Sequence, residues 1–283
     1  MNASGEHVVE VNGVELCVEA FGDPGDPALV LIHGAGSSML SWDEELCARL
    51  AAGERFVIRY DSRDAGRSVT YKVGAPPYTL RDLVADAVGL LDFFGVDRAH
   101  LVGMSGGGSL AQLVALDHPD RVASLTLAST TPGIPGEESP DLPPPAGDLP
   151  IPAEPDWADR AAVIDYLVES ERPYSPRFDE VAARAVATHV ADRSRDIAAS
   201  TNAFLVESGG PWRARLGEIT APTLVVHGAD DPVFPYAHAE ALAREISGAD
   251  LLALEHTGHE YFPPHTWDTV VPAILRLTAR RPR

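Results

Sequence analysis

The chain has 283 residues, 45% of them hydrophobic, enough to bury a core in one large α/β domain with an insertion and too many for a disordered or fibrous protein. Its 22 Lys and Arg against 42 Asp and Glu give a formal net charge of -20, which repels nucleic-acid phosphates and the anionic face of a membrane. Neutral or cationic small molecules are the partners this charge favours.

The opening residues, MNASGEHVVEV, lack the basic and apolar regions of a secretion signal, and no apolar run approaches the ~18 residues needed to span a bilayer. The expectation is a soluble, cytoplasmic protein. HVVEV and ELCVEAFG, with Asn12-Gly13 between them, predict an N-terminal β-hairpin. ALVLIHG, FVIRYD, AHLVGMS, SLTLAST, PTLVVHG and DLLALEH follow as apolar runs, the pattern of strands covered on both faces.

Helical patterns lie between these runs. In TLRDLVADAVGLLDFFG the residues Leu80, Leu83, Val84, Ala87, Val88, Leu91 and Phe94 recur at helical spacing. Thr79 with Asp82 forms a capping signal at its start and Gly95 a stop signal at its end. WDEELCARLAAG, GSLAQLVALDH, YAHAEALAREIS and WDTVVPAILRLTARR have the same character. Strand and helix alternate, which predicts a mostly parallel, doubly wound α/β sheet.

The alternation stops between about Pro132 and Leu216. TPGIPGEESPDLPPPAGDLPIPAEPD is rich in Pro and acid and reads as an extended surface segment. Three helical patterns without a strand follow it, in ADRAAVIDYLVES, FDEVAARAVATHVADR and RDIAASTNAFLVE. The expected organisation is a core of residues 1–131 and 217–283, with 132–216 as a Pro-rich segment and helical cap.

Gly103-Met104-Ser105-Gly106-Gly107 fits G-x-S-x-G, in which a sharp strand-to-helix turn exposes the serine hydroxyl. Taken alone, the pattern also fits an ordinary loop or a phosphate-binding turn. A serine hydroxyl is a poor nucleophile at neutral pH, so it needs a histidine base and an acid that orients the histidine. In this kind of fold the order is Ser, then acid, then His, each at a strand's C-terminal end. After SLTLA come Ser129, Thr130 and Thr131, none acidic; after PTLVVHG come Asp230 and Asp231; after DLLALEH comes His259. One oxyanion amide should come from the residue after the nucleophile, Gly106.

Over residues 26–131 and 217–278 these segments resemble the α/β-hydrolase family. The resemblance implies an α/β-hydrolase fold with a serine hydrolase site. HGADDPVFP is similar to the family's acid-bearing segment, in which the carboxylate three residues after the glycine is used, so Asp231 is the acid and Asp230 the alternative. HTGH resembles its histidine loop, giving the base to His259 and leaving His256 as a structural residue of the strand end. His33-Gly34-Ala35-Gly36 resembles its H-G-x loop, which implies the Ala35 amide as the second oxyanion donor. YDSRDAGRS resembles a family turn, with Arg63 and Asp64 tying loops together.

FVIRYDSRDAGRS and GVDRAHLVGMS resemble most the subgroup that contains aclacinomycin methylesterase and other esterases of bulky natural products. Gly106 departs from the Met common after the serine in that subgroup, which puts the substrate analogy in doubt. The resemblance implies a carboxylic ester hydrolase acting through an acyl-serine on a small or bulky neutral or cationic molecule, such as an antibiotic. Competing readings are a cofactor-free peroxidase or perhydrolase, an amide or carbon–carbon hydrolase, and a ligand receptor without turnover.

No cofactor is expected, because neither a dinucleotide fingerprint nor a P-loop occurs. No metal is expected either, since His256 and His259 lack a third ligand nearby. Cys17 and Cys47 have no ligand spacing and read as buried free thiols. His100, His118 and His189 are assigned no role. Trp157, Tyr166, Tyr174, Phe178, Phe204 and Trp212 are the insertion aromatics that could wall a substrate pocket.

Overall fold

A computed structural model describes residues 5–134, 139–144, 149–150 and 152–279. It contains one sheet of eight strands in the order β1-β2-β4-β3-β5-β6-β7-β8. The hairpin is β1 (His7–Val11) with β2 (Val14–Phe21). Asn12 and Gly13 both take positive φ, 49° and 75°, as the two-residue turn between twisted strands requires. The remaining strands are β3 (Ala28–Ile32), β4 (Phe56–Tyr60), β5 (Ala99–Met104), β6 (Val122–Ala128), β7 (Thr223–Gly228) and β8 (Asp250–Leu254). From β4 onward every neighbouring pair is parallel.

The alternation of strand side chains sends Leu29, Leu31, Val102 and Met104 to one face and Val30, Ile32 and Leu101 to the other. The first face packs against α1 (Glu44–Ala51) and α7 (Trp267–Thr278), and the second against α2 (Leu80–Phe94), α3 (Gly106–Asp117) and α6 (Ala237–Glu245). Both faces are therefore dry, which is why these strands read as continuous apolar runs. In α2 the Asp82 carboxylate accepts from the Thr79 backbone N–H at 2.7 Å, and Gly95 closes the helix at φ 66°. Cys17 and Cys47 are buried and unpaired, and burial pushes each thiol up to about 12.

Strand β8 differs from expectation. Asp250, Leu251 and Ala253 are exposed, because β8 is the edge strand of the sheet and pairs only with β7. His256 lies beyond the strand end, exposed, at φ 55°.

Between β6 and β7 run α4 (Arg160–Glu171) and α5 (Glu180–Arg193), started by the Asp159 and Asp179 side chains, each of which accepts two backbone N–H bonds. The third helical pattern is a 3-10 helix, Ile197–Phe204, rather than an α-helix. Ser200 and Thr201 hydroxyls bond there to carbonyls three residues back, the tighter spacing of that form. The Pro-rich reading falls partly on residues 135–138, 145–148 and 151, outside the described residues.

The reversal in strand order places the ends of β3 and β5 side by side. A crevice opens at such a switch point.

Candidate active site

Strand β5 ends at Met104 and α3 begins at Gly106, so a single residue, Ser105, makes the whole turn. It does so at φ 53°, ψ -119°, a conformation that costs a non-glycine residue on the order of 1–3 kcal/mol. The turn is held by its own backbone. The Ser105 N–H donates to Ala128 O at 2.9 Å, and its carbonyl accepts from Gly108 N–H at 2.9 Å and from the Thr130 hydroxyl at 2.7 Å. A Cβ at Gly103 would strike the Gly107 carbonyl, and one at Gly107 would strike the Ile32 and His33 carbonyls. Glycine at these positions lets the helix start pack directly on two strand ends.

Across the switch point, the loop after β3 brings Ala35 against Gly106: a Cβ built at Gly106 would lie 3.1 Å from the Ala35 amide nitrogen. Neither the Ala35 nor the Gly106 N–H has an acceptor among the described residues. Two side chains fix this loop. His33 Nε2 accepts from the Ser62 N–H at 3.1 Å, so Nδ1 carries the proton and donates to Gly34 O at 2.9 Å. Burial holds the His33 imidazole below its ordinary range, so it stays neutral. The Tyr261 hydroxyl accepts from the Gly34 N–H at 2.6 Å, and desolvation pushes this phenol up to about 12.

Asp231 lies in the turn after β7 and is buried, whereas Asp230 beside it is exposed. Asp231 Oδ1 accepts from the Val233 and Phe234 N–H groups at 2.8 and 2.9 Å, and Oδ2 lies 2.9 Å from His259 Nδ1. Burial alone would raise the Asp231 carboxyl, but the hydrogen bonds it accepts from His259 and from the Phe234 amide outweigh it and hold the group below the usual aspartate range. An ionised carboxylate only accepts, so Nδ1 of His259 carries the proton and Nε2 keeps its lone pair. The His259 backbone N–H donates to Tyr174 O at 2.9 Å, and the Tyr174 and Phe234 rings lie edge-on to the imidazole at 5.8 and 5.7 Å.

A cavity of about 510 Å³ and another of about 420 Å³ lie under the insertion. The smaller is lined by Ser105, Gly106, Ala35 and Phe234, so it joins the serine turn to the ring that packs on His259. The larger shares Gly36, Ser37 and Ser200 with it and extends along α5. Of the insertion aromatics, Phe204 and Trp212 wall the smaller cavity, Phe178 walls the larger, and Tyr174 covers His259. Trp157 and Tyr166 pack on each other at 5.5 Å and line neither. Arg63 is paired at 2.7 Å with Asp86 of α2, so it ties its loop to a helix rather than to another loop, whereas Asp64 accepts from Tyr71 N–H, Tyr78 OH and Asn202 Nδ2 and ties loops together. Among the described residues no group of three or more His, Cys, Asp or Glu side chains could hold a metal ion.

Known proteins share this arrangement of elements. A family model described as the alpha/beta hydrolase fold matches residues 27–266. The chain belongs to that family. Within the alpha/beta hydrolases it is similar to rhodomycin D methylesterase DauP of Streptomyces sp. strain C5, with 48% identity over 114 residues, 40% of this chain and 38% of that protein. It is also similar to epoxide hydrolase B of Mycobacterium tuberculosis, with 40% identity over 103 residues, 36% of this chain and 28% of that protein. The matches therefore span well under half the length of these curated relatives. A solved hydrolase from Pseudomonas aeruginosa PA01 superposes with a TM-score of 0.72 at 27% identity, covering 99% of this chain and 100% of that one. No helix among the described residues is long and apolar enough to cross a membrane.

His33 and Tyr261 support the loop beside the serine; in the sequence His33 is read only as part of the H-G-x loop, with no role for its side chain, and Tyr261 is not singled out. The only available signals were the place of His33 before the glycine of the loop and of Tyr261 two residues after His259.

Proposed function

We propose that this alpha/beta hydrolase is a carboxylic ester hydrolase with Ser105 as nucleophile, His259 as base and Asp231 as the acid that orients it. The observation that carries the reading is a serine held in a strained strand-to-helix turn that opens on a cavity, one wall of which, the Phe234 ring, packs on a histidine whose Nδ1 meets a buried carboxylate. His259 Nε2 takes the Ser105 proton as Oγ bonds to the ester carbon, and the Ala35 and Gly106 amides receive the oxyanion. Collapse breaks the bond to the alkoxide, which leaves with the proton from His259. Water then attacks the acyl-serine, giving its proton to His259, and the acid is released with Ser105 restored.

A serine at the turn suits acyl transfer to water, because an ester of serine is itself hydrolysable. The similarity to rhodomycin D methylesterase supports a bulky natural product such as an antibiotic as substrate. So do the two neighbouring cavities, which share Gly36, Ser37 and Ser200, and the net charge of -20 favours neutral or cationic molecules. In this reading residues 132–216 form the cap and the rest the catalytic core.

A p-nitrophenyl ester series of increasing acyl length, assayed with wild type and Ser105→Ala in parallel, tests it. Turnover by wild type that is lost in the variant is expected. Equal rates in both, or none with any ester, would remove the esterase reading.

A further inference from the structure

One buried titratable side chain beside the Asp231–His259 pair is not used in this reaction. His227, near the end of β7, is fully buried. Its Nε2 lies 2.7 Å from Phe234 O. A carbonyl only accepts, so Nε2 carries the proton and Nδ1 has the lone pair. That Nδ1 is buried without a hydrogen-bond partner among the described residues. The same Nε2 lies 3.5 Å from Asp231 Oδ2, the oxygen that holds His259 Nδ1.

We propose that His227 is a positioning residue for the acid: its Nε2–H clamps the turn that carries Asp231 and shares the carboxylate oxygen that orients His259. The inference rests on reading Asp231 and His259 as the catalytic acid and base. The turn is closed from several sides. Asp231 N–H donates to Gly228 O at 3.2 Å, the Val233 and Phe234 amides donate to Oδ1, and His227 reaches over the turn to the Phe234 carbonyl. Only Oδ2 is left to face the two imidazoles. Rotation of the carboxylate would break the Oδ1 bonds, so its angle to His259 is set by the backbone and by His227 together.

His227 does this work as a neutral dipole. Burial holds its imidazole below the ordinary range, with the Asp231 charge opposing. Protonation at Nδ1 would bury an N–H donor that has no acceptor among the described residues. The Tyr236 ring lies edge-on at 6.0 Å. Around His259 the groups to be counted are Asp231 and His227 from the β7 side, and Glu171 and Tyr174 from the insertion. Glu260 follows it directly and faces Glu171. Loss of the His227 N–H would leave Oδ2 more basic and raise the proton affinity of His259, which the other groups leave unchanged in a His227 variant.

The test compares His227→Gln, whose amide nitrogen can occupy the Nε2 position, with His227→Leu and with His227→Asn, whose amide reaches only the Nδ1 position. Two quantities are read: the titration of the His259 ring by NMR in ring-labelled protein, which needs no turnover, and the pH profile of kcat/KM for an ester. In the Leu and Asn variants we expect the His259 titration and the acid limb to move up together by roughly half a pH unit, and kcat to fall about tenfold or more. The Gln variant should return both toward wild type. Titration curves that superimpose on wild type in folded Leu or Asn variants would overturn the proposal. So would a Gln variant no closer to wild type than Asn. If Leu does not fold, the polar Gln and Asn pair decides alone. A wild-type ester activity that survives Ser105→Ala would instead overturn the reading of Ser105 as nucleophile, while the NMR comparison would still report on His227.

Discussion

The strand ends around Ser105 and the helices of the insertion are built on different physics. At the strand ends position is set by specific hydrogen bonds and close approaches: glycine contacts and main-chain bonds hold the serine turn, His33 and Tyr261 hold the Ala35 loop, and backbone amides on its carboxylate hold the Asp231 turn. Among the described residues of the insertion, α4 and α5 bury a small apolar cluster of Ile164, Val168 and Ala187, and the end of α5 meets the core through ion pairs. Arg193 at the end of α5 reaches Glu6 at 2.9 Å and the fully buried Asp61 at 2.7 Å. The difference teaches that the chemistry and the walls of the cavity can be perturbed separately. The first should respond to changes of single atoms, and the second to changes of charge and packing.

The largest effect should come from the reacting groups. Ser105→Ala or His259→Ala should lower kcat for an ester by about 10³-fold or more with the fold intact. Next comes the acid. Asp231→Asn should cost roughly 10²- to 10⁴-fold in kcat, because an amide can present its N–H to the ring and favour the wrong tautomer. Asp230→Asn should leave the rate within about twofold, since surface changes away from the site perturb little. Reversed results for the two aspartates would move the acid by one residue.

Perturbing the insertion should act on stability first. Arg193→Ala leaves the buried Asp61 without its cation and should destabilise the protein by about 3–5 kcal/mol in chemical denaturation. By contrast Arg160→Ala, which removes an exposed pair with Asp192, should leave the thermal midpoint unchanged within error. If the two variants melt alike, the ionic connection through Arg193 is not what holds the insertion.

A graded effect is expected from pH. Burial holds His33 and His227 below their ordinary range, and His100 at about 4. Each is neutral in the fold and charges more readily in the unfolded chain. Below the unfolded value of ~6.5 the unfolded state binds more protons, so stability falls as pH drops, by about 1.4 kcal/mol per pH unit for each such group. Above pH ~7 this dependence should vanish. A denaturation midpoint that is flat from pH 8 to 5 would contradict the neutral assignment.

Much of the fold was legible because each strand's apolar run and each helix's spacing reports burial directly. Edge position is not written in the same way: DLLALEH reads as a buried strand, yet β8 has a neighbour on one side only. The segment Ile197–Phe204 has apolar residues at helical spacing, and its 3-10 form depends on side-chain bonds made at short range. At the candidate site Gly103, Ser105 and Gly107 were legible because a turn this tight admits few residue types. His33, Tyr261 and His227 were not, because they act through contacts with residues far away in the chain or across a turn whose shape the sequence does not display. In α2 the capping pair Thr79 and Asp82 was readable for the opposite reason, since both partners lie within one helical turn.

The central claim is that Ser105 Oγ becomes covalently acylated. Rapid-quench mass spectrometry of the protein mixed with a slowly hydrolysed activated ester measures it directly. A transient mass increase equal to the acyl group is expected, localised to the peptide that contains Ser105 and absent in Ser105→Ala. Ester turnover without any acyl adduct at Ser105, or with the adduct on another residue, would contradict it.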